Sequence, residues 1–201
     1  MLLNHFLLAL LWIGYCVLHS VMASTSVKDW LQKISGESYK YYRLFYTLFS
    51  FFFLVVVLYY QIILPTRLLY NENIFTLITG LALALPGLAL MLVCIKKYFM
   101  NLSGLRSLME EQVAGIRLQI TGVHRYVRHP LYLGTFAFIW GLFLLRPFWS
   151  LLIANSVITI YTLIGIKLEE KKLVAEFGES YKAYQQRVPK LFPRRRVKLK
   201  I

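Results

Sequence analysis

Five stretches of the chain are almost unbroken runs of apolar residues, at 2–22, 44–64, 74–94, 131–145 and 149–168. Crossing a hydrocarbon core of about 30 Å takes roughly 20 apolar helical residues. The pattern therefore predicts membrane-spanning helices, not the one-sided apolar stripe of a helix packed in water. The fourth run is short for a span, so it is expected to be tilted, enclosed by protein, or closed onto the fifth as a tight hairpin through Arg146-Pro147. Between the first two runs, Ser and Thr caps, mixed charges and the helically spaced Val27, Trp30, Leu31 and Ile34 predict a short interfacial helix within 24–43. Pro86-Gly87 falls inside the third run and is expected to bend it, because proline removes an internal hydrogen bond and glycine loosens the backbone. Beyond the fifth run, 169–186 has helical composition, and Val188-Pro189 and Phe192-Pro193 end regular structure.

Composition agrees with this reading. In a chain of 201 residues, 58% hydrophobic content and a mean hydropathy of +0.58 lie far outside the range of soluble domains. The expected fold class is an all-α integral membrane protein: one membrane domain of about five transmembrane helices, with a cytoplasmic C-terminal helix and tail. A net charge of +14 would point to nucleic acid in a soluble protein. Here, with alternating spans, 21 of the 23 Lys and Arg residues fall on one side, and Arg67 and Arg146 stand alone on the other. Such an asymmetry is the positive-inside signal: it puts the C-terminus in the cytoplasm and the N-terminus outside, and it argues against nucleic acid. The tail Arg194-Arg-Arg-Val-Lys-Leu-Lys200 is expected to meet anionic lipid headgroups. No Lys or Arg occurs in 1–10, so the first run reads as a retained helix, not a cleaved signal peptide. Cys16 and Cys94 both fall inside predicted spans and read as packing residues.

Candidate chemistry is concentrated in Gly122-Val-His-Arg-Tyr-Val-Arg-His-Pro-Leu-Tyr-Leu-Gly134, at the mouth of the predicted hairpin. Polar and ionisable groups at a membrane boundary are costly and mark sites. Pro130 favours an extended His129 and is suited to open a helix. The amides of that helix start, with Arg128, make an anion site for either a lipid phosphate or a ligand carboxylate. Glu169 and Glu170, at the end of the fifth run, repel one another and oppose the helix dipole, so they require compensation. Pairing with Arg125, Arg128 or Lys172 would supply it, as would a cationic ligand group. Tyr132 and Gly134 would stand nearby, as an interfacial anchor and a packing gap or as parts of the site. His19-Ser20, at the end of the first run, is read as a buried, hydrogen-bonded histidine. Four histidines without HExxH or a cysteine cluster do not make a metal site.

The stretch 117–193 resembles the C-terminal signature of the isoprenylcysteine carboxyl methyltransferase and phospholipid methyltransferase superfamily. The matching elements are Gly-Val-x-x-x-Val-Arg-His-Pro-x-Tyr-x-Gly, then Glu-Glu-x-x-Leu, Phe-Gly-x-x-Tyr-x-x-Tyr and Val-Pro. Within it, Lys167-Leu-Glu-Glu-Lys-Lys-Leu-Val-Ala-Glu-Phe-Gly178 and His19-Ser-Val-Met-Ala-Ser24 with Tyr42-Arg43 are most similar to the methanethiol S-methyltransferase and NnrU-like branch. The resemblance implies an S-adenosyl-L-methionine-dependent membrane methyltransferase, acting on a small thiol or a lipophilic acceptor that enters from the membrane. It places the cofactor region in 115–193, with His129, Tyr132 and Glu169 as cofactor contacts. Arg117, Leu118, Gln119 and His124 would line the adenosyl side, with Arg128 and Glu170 as further carry-overs. A bacterial inner membrane follows from the branch resembled. The isoprenylcysteine enzymes carry a substrate-binding arginine about one turn before the glutamates, where this chain has Gly165. A sterol-reductase relative using a nicotinamide cofactor, and a noncatalytic accessory protein, are the alternatives to a methyltransferase.

Overall fold

The computed structural model of the chain describes residues 2–102, 118 and 120–193. Its elements are helical: α1 (Leu2–Ala23), α2 (Thr25–Ser35), α3 (Tyr42–Ile63), α4 (Ile74–Leu102), α5 (Pro130–Leu145), α6 (Trp149–Phe177) and α7 (Glu179–Arg187). Short 3-10 turns at Gly36–Tyr41 and Gly122–Arg125 complete them.

Four of these helices are long and apolar enough to cross a membrane: α1, α3 with the turn before it, α4 and α6. The expected short helix is α5, with 16 residues. Large apolar side chains on the spans point outward, among them Phe51, Phe52, Ile62, Ile78 and Ile160, each more than 60% exposed. An apolar exterior of this kind is stable only against lipid. The inner faces meet in a core of Leu8, Trp12, Val57, Leu64 and Ala154, drawn from α1, α3 and α6 and the end of α3. Polar pairs between helices fix the register: Trp12 Nε1 donates to Gln61 Oε1 at 2.8 Å, Trp140 Nε1 to Thr159 Oγ1 at 3.1 Å, and Asn155 Nδ2 to the Ile139 carbonyl at 2.7 Å.

The tightest packing joins α4 to α5, and small residues permit it. A Cβ on Gly141 would lie 2.5 Å from the Ala84 nitrogen, and one on Gly87 would lie 2.6 Å from the Phe138 nitrogen. Gly134 is as close to Gly87 and Met91. Gly87 therefore serves as a packing gap, and α4 continues as helix through Pro86. This close seating resolves the shortness of α5, which is held along its length by a neighbour and opens into α6 through only Arg146, Pro147 and Phe148.

The interfacial helix is present as α2. Ser24 caps it by accepting from the Val27 amide, and Tyr42, at the start of α3, donates its hydroxyl to the Met22 carbonyl of α1 at 2.7 Å. At the opposite end of the bundle, the loop after α3 is strapped to the α5–α6 turn. The Leu69 amide donates to the Pro147 carbonyl at 2.8 Å, and the Trp149 amide to Arg67 at 3.2 Å. The two ends of the bundle thus differ: one is a tied turn, and the other carries the 122–134 motif, the end of α6 and α7.

Candidate functional site

The site begins with a chain reversal. Gly122 adopts φ +64°, in the region that favours glycine, and the 3-10 turn that follows brings His124 against the last helix. The Tyr184 hydroxyl donates to the His124 carbonyl at 2.7 Å, and the His124 ring nitrogen Nδ1 lies 3.1 Å from the Arg128 carbonyl. Burial holds the His124 imidazole below its ordinary pKa, in the neutral form. Pro130 opens α5 as the sequence predicted, and His129 before it is non-helical, at φ −121° and ψ 66°, short of the extended backbone expected there.

A second reversal at Gly178, φ +56°, separates α6 from α7. It folds α7 and the strand-like segment after it back onto the motif. The Arg128 amide donates to the Pro189 carbonyl at 2.9 Å, and the His129 amide to the Lys190 carbonyl at 3.1 Å. The segment leading into α5 is thus paired with the chain's own backbone, and the amides of Arg128 and His129 are engaged there.

Arg128 and Glu170 form the centre of this construction. The guanidinium reaches Glu170 Oε1 at 2.6 and 2.8 Å and donates also to the carbonyls of Gln185 and Val188. Lys190 Nζ lies 3.2 Å from Glu170 Oε2, and His129 Nε2 lies 3.2 Å from Oε1. The side chains of Arg128 and Glu170 are only 8% and 11% exposed. A buried carboxylate so fully coordinated is a structural pin. Tyr181, fully buried beside it, has its phenol pushed up to about 12 by burial and by the Glu170 charge, and stays protonated.

Glu169 is different. Its carboxylate is 45% exposed, lies 3.7 Å from His129 Nδ1, and interacts with the Tyr132 phenol. Tyr132 in turn stacks on His129, ring centroids 5.7 Å apart at 24°. Glu169, His129 and Tyr132 therefore form one face at the mouth of the hairpin, with a carboxylate turned outward. Leu118 is half-buried near the start of the motif. Arg117 and Gln119 lie outside the described residues.

Of the cations considered as partners for the glutamates, Arg128 is the one that holds Glu170. Lys190 was not foreseen. It follows Val188-Pro189, and the signal for it was a basic residue directly after the segment that ends the helix. Tyr181 and Tyr184 were legible only as letters of the motif; their parts, buried support and carbonyl donor, come from the fold.

Comparison with known proteins bears on the family. The family model for phospholipid methyltransferases matches residues 75–180, from α4 to the first turn of α7. A methanethiol S-methyltransferase from Crocosphaera subtropica is 32% identical over 89% of this chain and 71% of its own length. Methanethiol S-methyltransferase 1 of Bradyrhizobium diazoefficiens is 30% identical over 90% of this chain and 64% of its own length. The protein-S-isoprenylcysteine O-methyltransferase of Schizosaccharomyces pombe is 41% identical over 36% of this chain and 31% of its own length. No solved structure matches. The names of these relatives favour the methyltransferase expectation over a reductase or an accessory protein. The chain belongs to the phospholipid methyltransferase family and is a membrane methyltransferase.

Proposed function

We propose that this enzyme uses S-adenosyl-L-methionine to methylate a small thiol, at a site open to the cytoplasm. The observation that carries the reading is the outward carboxylate of Glu169 beside His129 and Tyr132, next to a neighbour, Glu170, whose charge is already balanced. The donor set fits the cofactor. A carboxylate suits its ammonium or sulfonium charge, and the face of Tyr132 suits a cation at short range. His124 and Leu118 would border the adenosyl side, together with Arg117 and Gln119. When bound, the cofactor supplies an electrophilic methyl group on a positively charged sulfur.

The protein's own contribution is alignment and exclusion of water. Holding nucleophile and methyl in line is worth on the order of several kcal/mol of barrier. Gly165 stands on α6 with open space where a side chain would project, so no cation from this position would meet a prenylcysteine carboxylate. That favours the thiol over the prenylated acceptor. The enzyme is read as residing in a bacterial inner membrane, with its C-terminus cytoplasmic and its basic tail on anionic lipids.

Binding of labelled S-adenosyl-L-methionine to the purified protein tests the cofactor, and release of dimethyl sulfide from methanethiol tests the acceptor. Glu169→Ala and His129→Ala should each weaken cofactor binding at least tenfold. Parent-like binding in both variants overturns the site. Methylation of a lipid or prenylcysteine without methylation of methanethiol overturns the thiol assignment.

A further inference from the structure

The buried stripe of α1 changes character along its length. Leu8, Trp12 and Cys16 are its buried residues, and at helical spacing the half-buried His19 and the exposed Ser20 follow them toward the end that holds the methyl-transfer site. Both find polar partners on other helices. The Tyr46 hydroxyl of α3 lies 3.0 Å from Nδ1 and 2.9 Å from Nε2 of His19, and Ser20 Oγ donates to the Tyr161 hydroxyl of α6 at 3.0 Å. The His19 ring lies among Tyr15, Ser50 and Phe53, which close around it and leave no room for a water. Tyr161 and Tyr46 are also close enough to Tyr132 to interact with it electrostatically. Since Tyr132 stacks on His129 and contacts Glu169, polar side chains lead from the proposed cofactor face toward His19, with Tyr46 and Tyr161 between them. Four helices contribute to it, and packing alone does not call for an imidazole and several hydroxyls among apolar spans.

We propose that His19 takes the proton of the methyl acceptor, with Tyr46 as the positioning residue that holds its ring and the acceptor seated between His19 and Tyr132. This rests on the thiol methyltransferase reading above. A thiol reacts as thiolate, and its ordinary pKa of about 8.5 leaves it mostly protonated at neutral pH. Surroundings of apolar helices disfavour the bare anion further, so removal of the proton during attack spares the site a buried charge. The S–H bond breaks and the proton passes to the unprotonated nitrogen of His19. The sulfur electron pair forms the new S–CH3 bond, and the pair of the donor's breaking C–S bond stays on the donor sulfur. The donor's positive charge is thereby replaced by an imidazolium, which returns its proton to water. The Tyr46 hydroxyl faces both ring nitrogens, and a turn of the imidazole keeps one on the hydroxyl and presents the other to the thiol. The titratable groups around His19 are Tyr15 and Cys16 on α1, Tyr42 and Tyr46 on α3, Tyr132 on α5 and Tyr161 on α6. Among the described residues they are phenols and one thiol, neutral in the range where a histidine titrates.

The test uses the purified full chain with methanethiol and S-adenosyl-L-methionine. His19→Gln should lower kcat at pH 7 by about 10²–10³-fold, leave labelled cofactor binding unchanged, and lose the acidic limb of the pH profile so that rate climbs as the thiol ionises. Added imidazole should restore part of the rate. Tyr46→Phe should displace the midpoint of the acidic limb, and His5→Gln, at the other end of α1, should keep the parent profile. Independently of turnover, dimethyl sulfide should protect His19 from carbethoxylation by diethyl pyrocarbonate, located by mass spectrometry. A His19→Gln enzyme with the parent's kcat and pH profile, or modification of His19 at equal rates with and without dimethyl sulfide, overturns the proposal while leaving the cofactor and thiol assignments in place. A parent that neither binds the cofactor nor methylates methanethiol overturns those assignments, and this proposal with them.

Discussion

Glu169 and Glu170 are adjacent, identical in type and opposite in role. One helical step turns the first carboxylate outward beside His129 and Tyr132, and the second inward among Arg128, Lys190 and His129. The difference is measurable as stability against binding. Glu170→Ala strands a buried guanidinium and should destabilise the protein by about 3–5 kcal/mol, read as a lowered thermal midpoint in detergent. Glu169→Ala removes a half-exposed group, so its midpoint should stay close to the parent's while cofactor binding falls. Equal midpoints for the two variants would mean that Glu170 is not the pin. The residue types at this site were legible in the sequence, because ionisable groups at a membrane boundary are conspicuous. The division of labour between the two glutamates was not, because it depends on which way α6 is rotated against the returning tail.

Among the elements, the pairing of α4 with α5 was the least legible. The run 131–145 is too short to span by itself, and its sequence offered tilt, enclosure or a tight hairpin as equal possibilities. Close approach at Gly87, Gly134 and Gly141 resolves the matter: α5 is seated on α4, and a Cβ at any of those points would run into α4 or α5 backbone. In lipid, where apolar surface alone does not drive helices together, such close packing is a main source of association. Gly141→Ala would force the helices apart against backbone atoms and should cost about 1–3 kcal/mol. Gly165→Ala, with nothing near the added carbon, should change stability by less than about 1 kcal/mol. Thermal midpoints in one detergent compare them, and equal losses would contradict the packing. Because α5 begins with Pro130, displacement of this helix would move His129 and Tyr132, so Gly141→Ala should weaken cofactor binding as well.

For the whole molecule, the charge asymmetry and the structure place the same residues at one end. His129, Tyr132 and the end of α6 meet there, His19 and Tyr46 face the same end, and the strapped loop with Arg67 and Arg146 lies at the other. Reporter fusions test the orientation. A fluorescent protein on the C-terminus should mature in the cytoplasm, and a phosphatase inserted in the 64–73 loop should be active outside; the reverse result would overturn the topology. The sequence by itself determined the class of molecule, the number of apolar runs, the side on which positive charge gathers and the residues worth watching. Each of these follows from local hydropathy or from counting, and neither requires knowing which helices touch. Only the tertiary structure decided that Glu170 is pinned and Glu169 open, that Lys190 returns to close the site, and that α1 brings His19 against Tyr46 of α3. The physical reason is that burial and pairing arise between segments distant in sequence, and in a bundle of apolar helices the surface pattern does not specify which faces meet. Small-residue gaps and a few hydrogen bonds do.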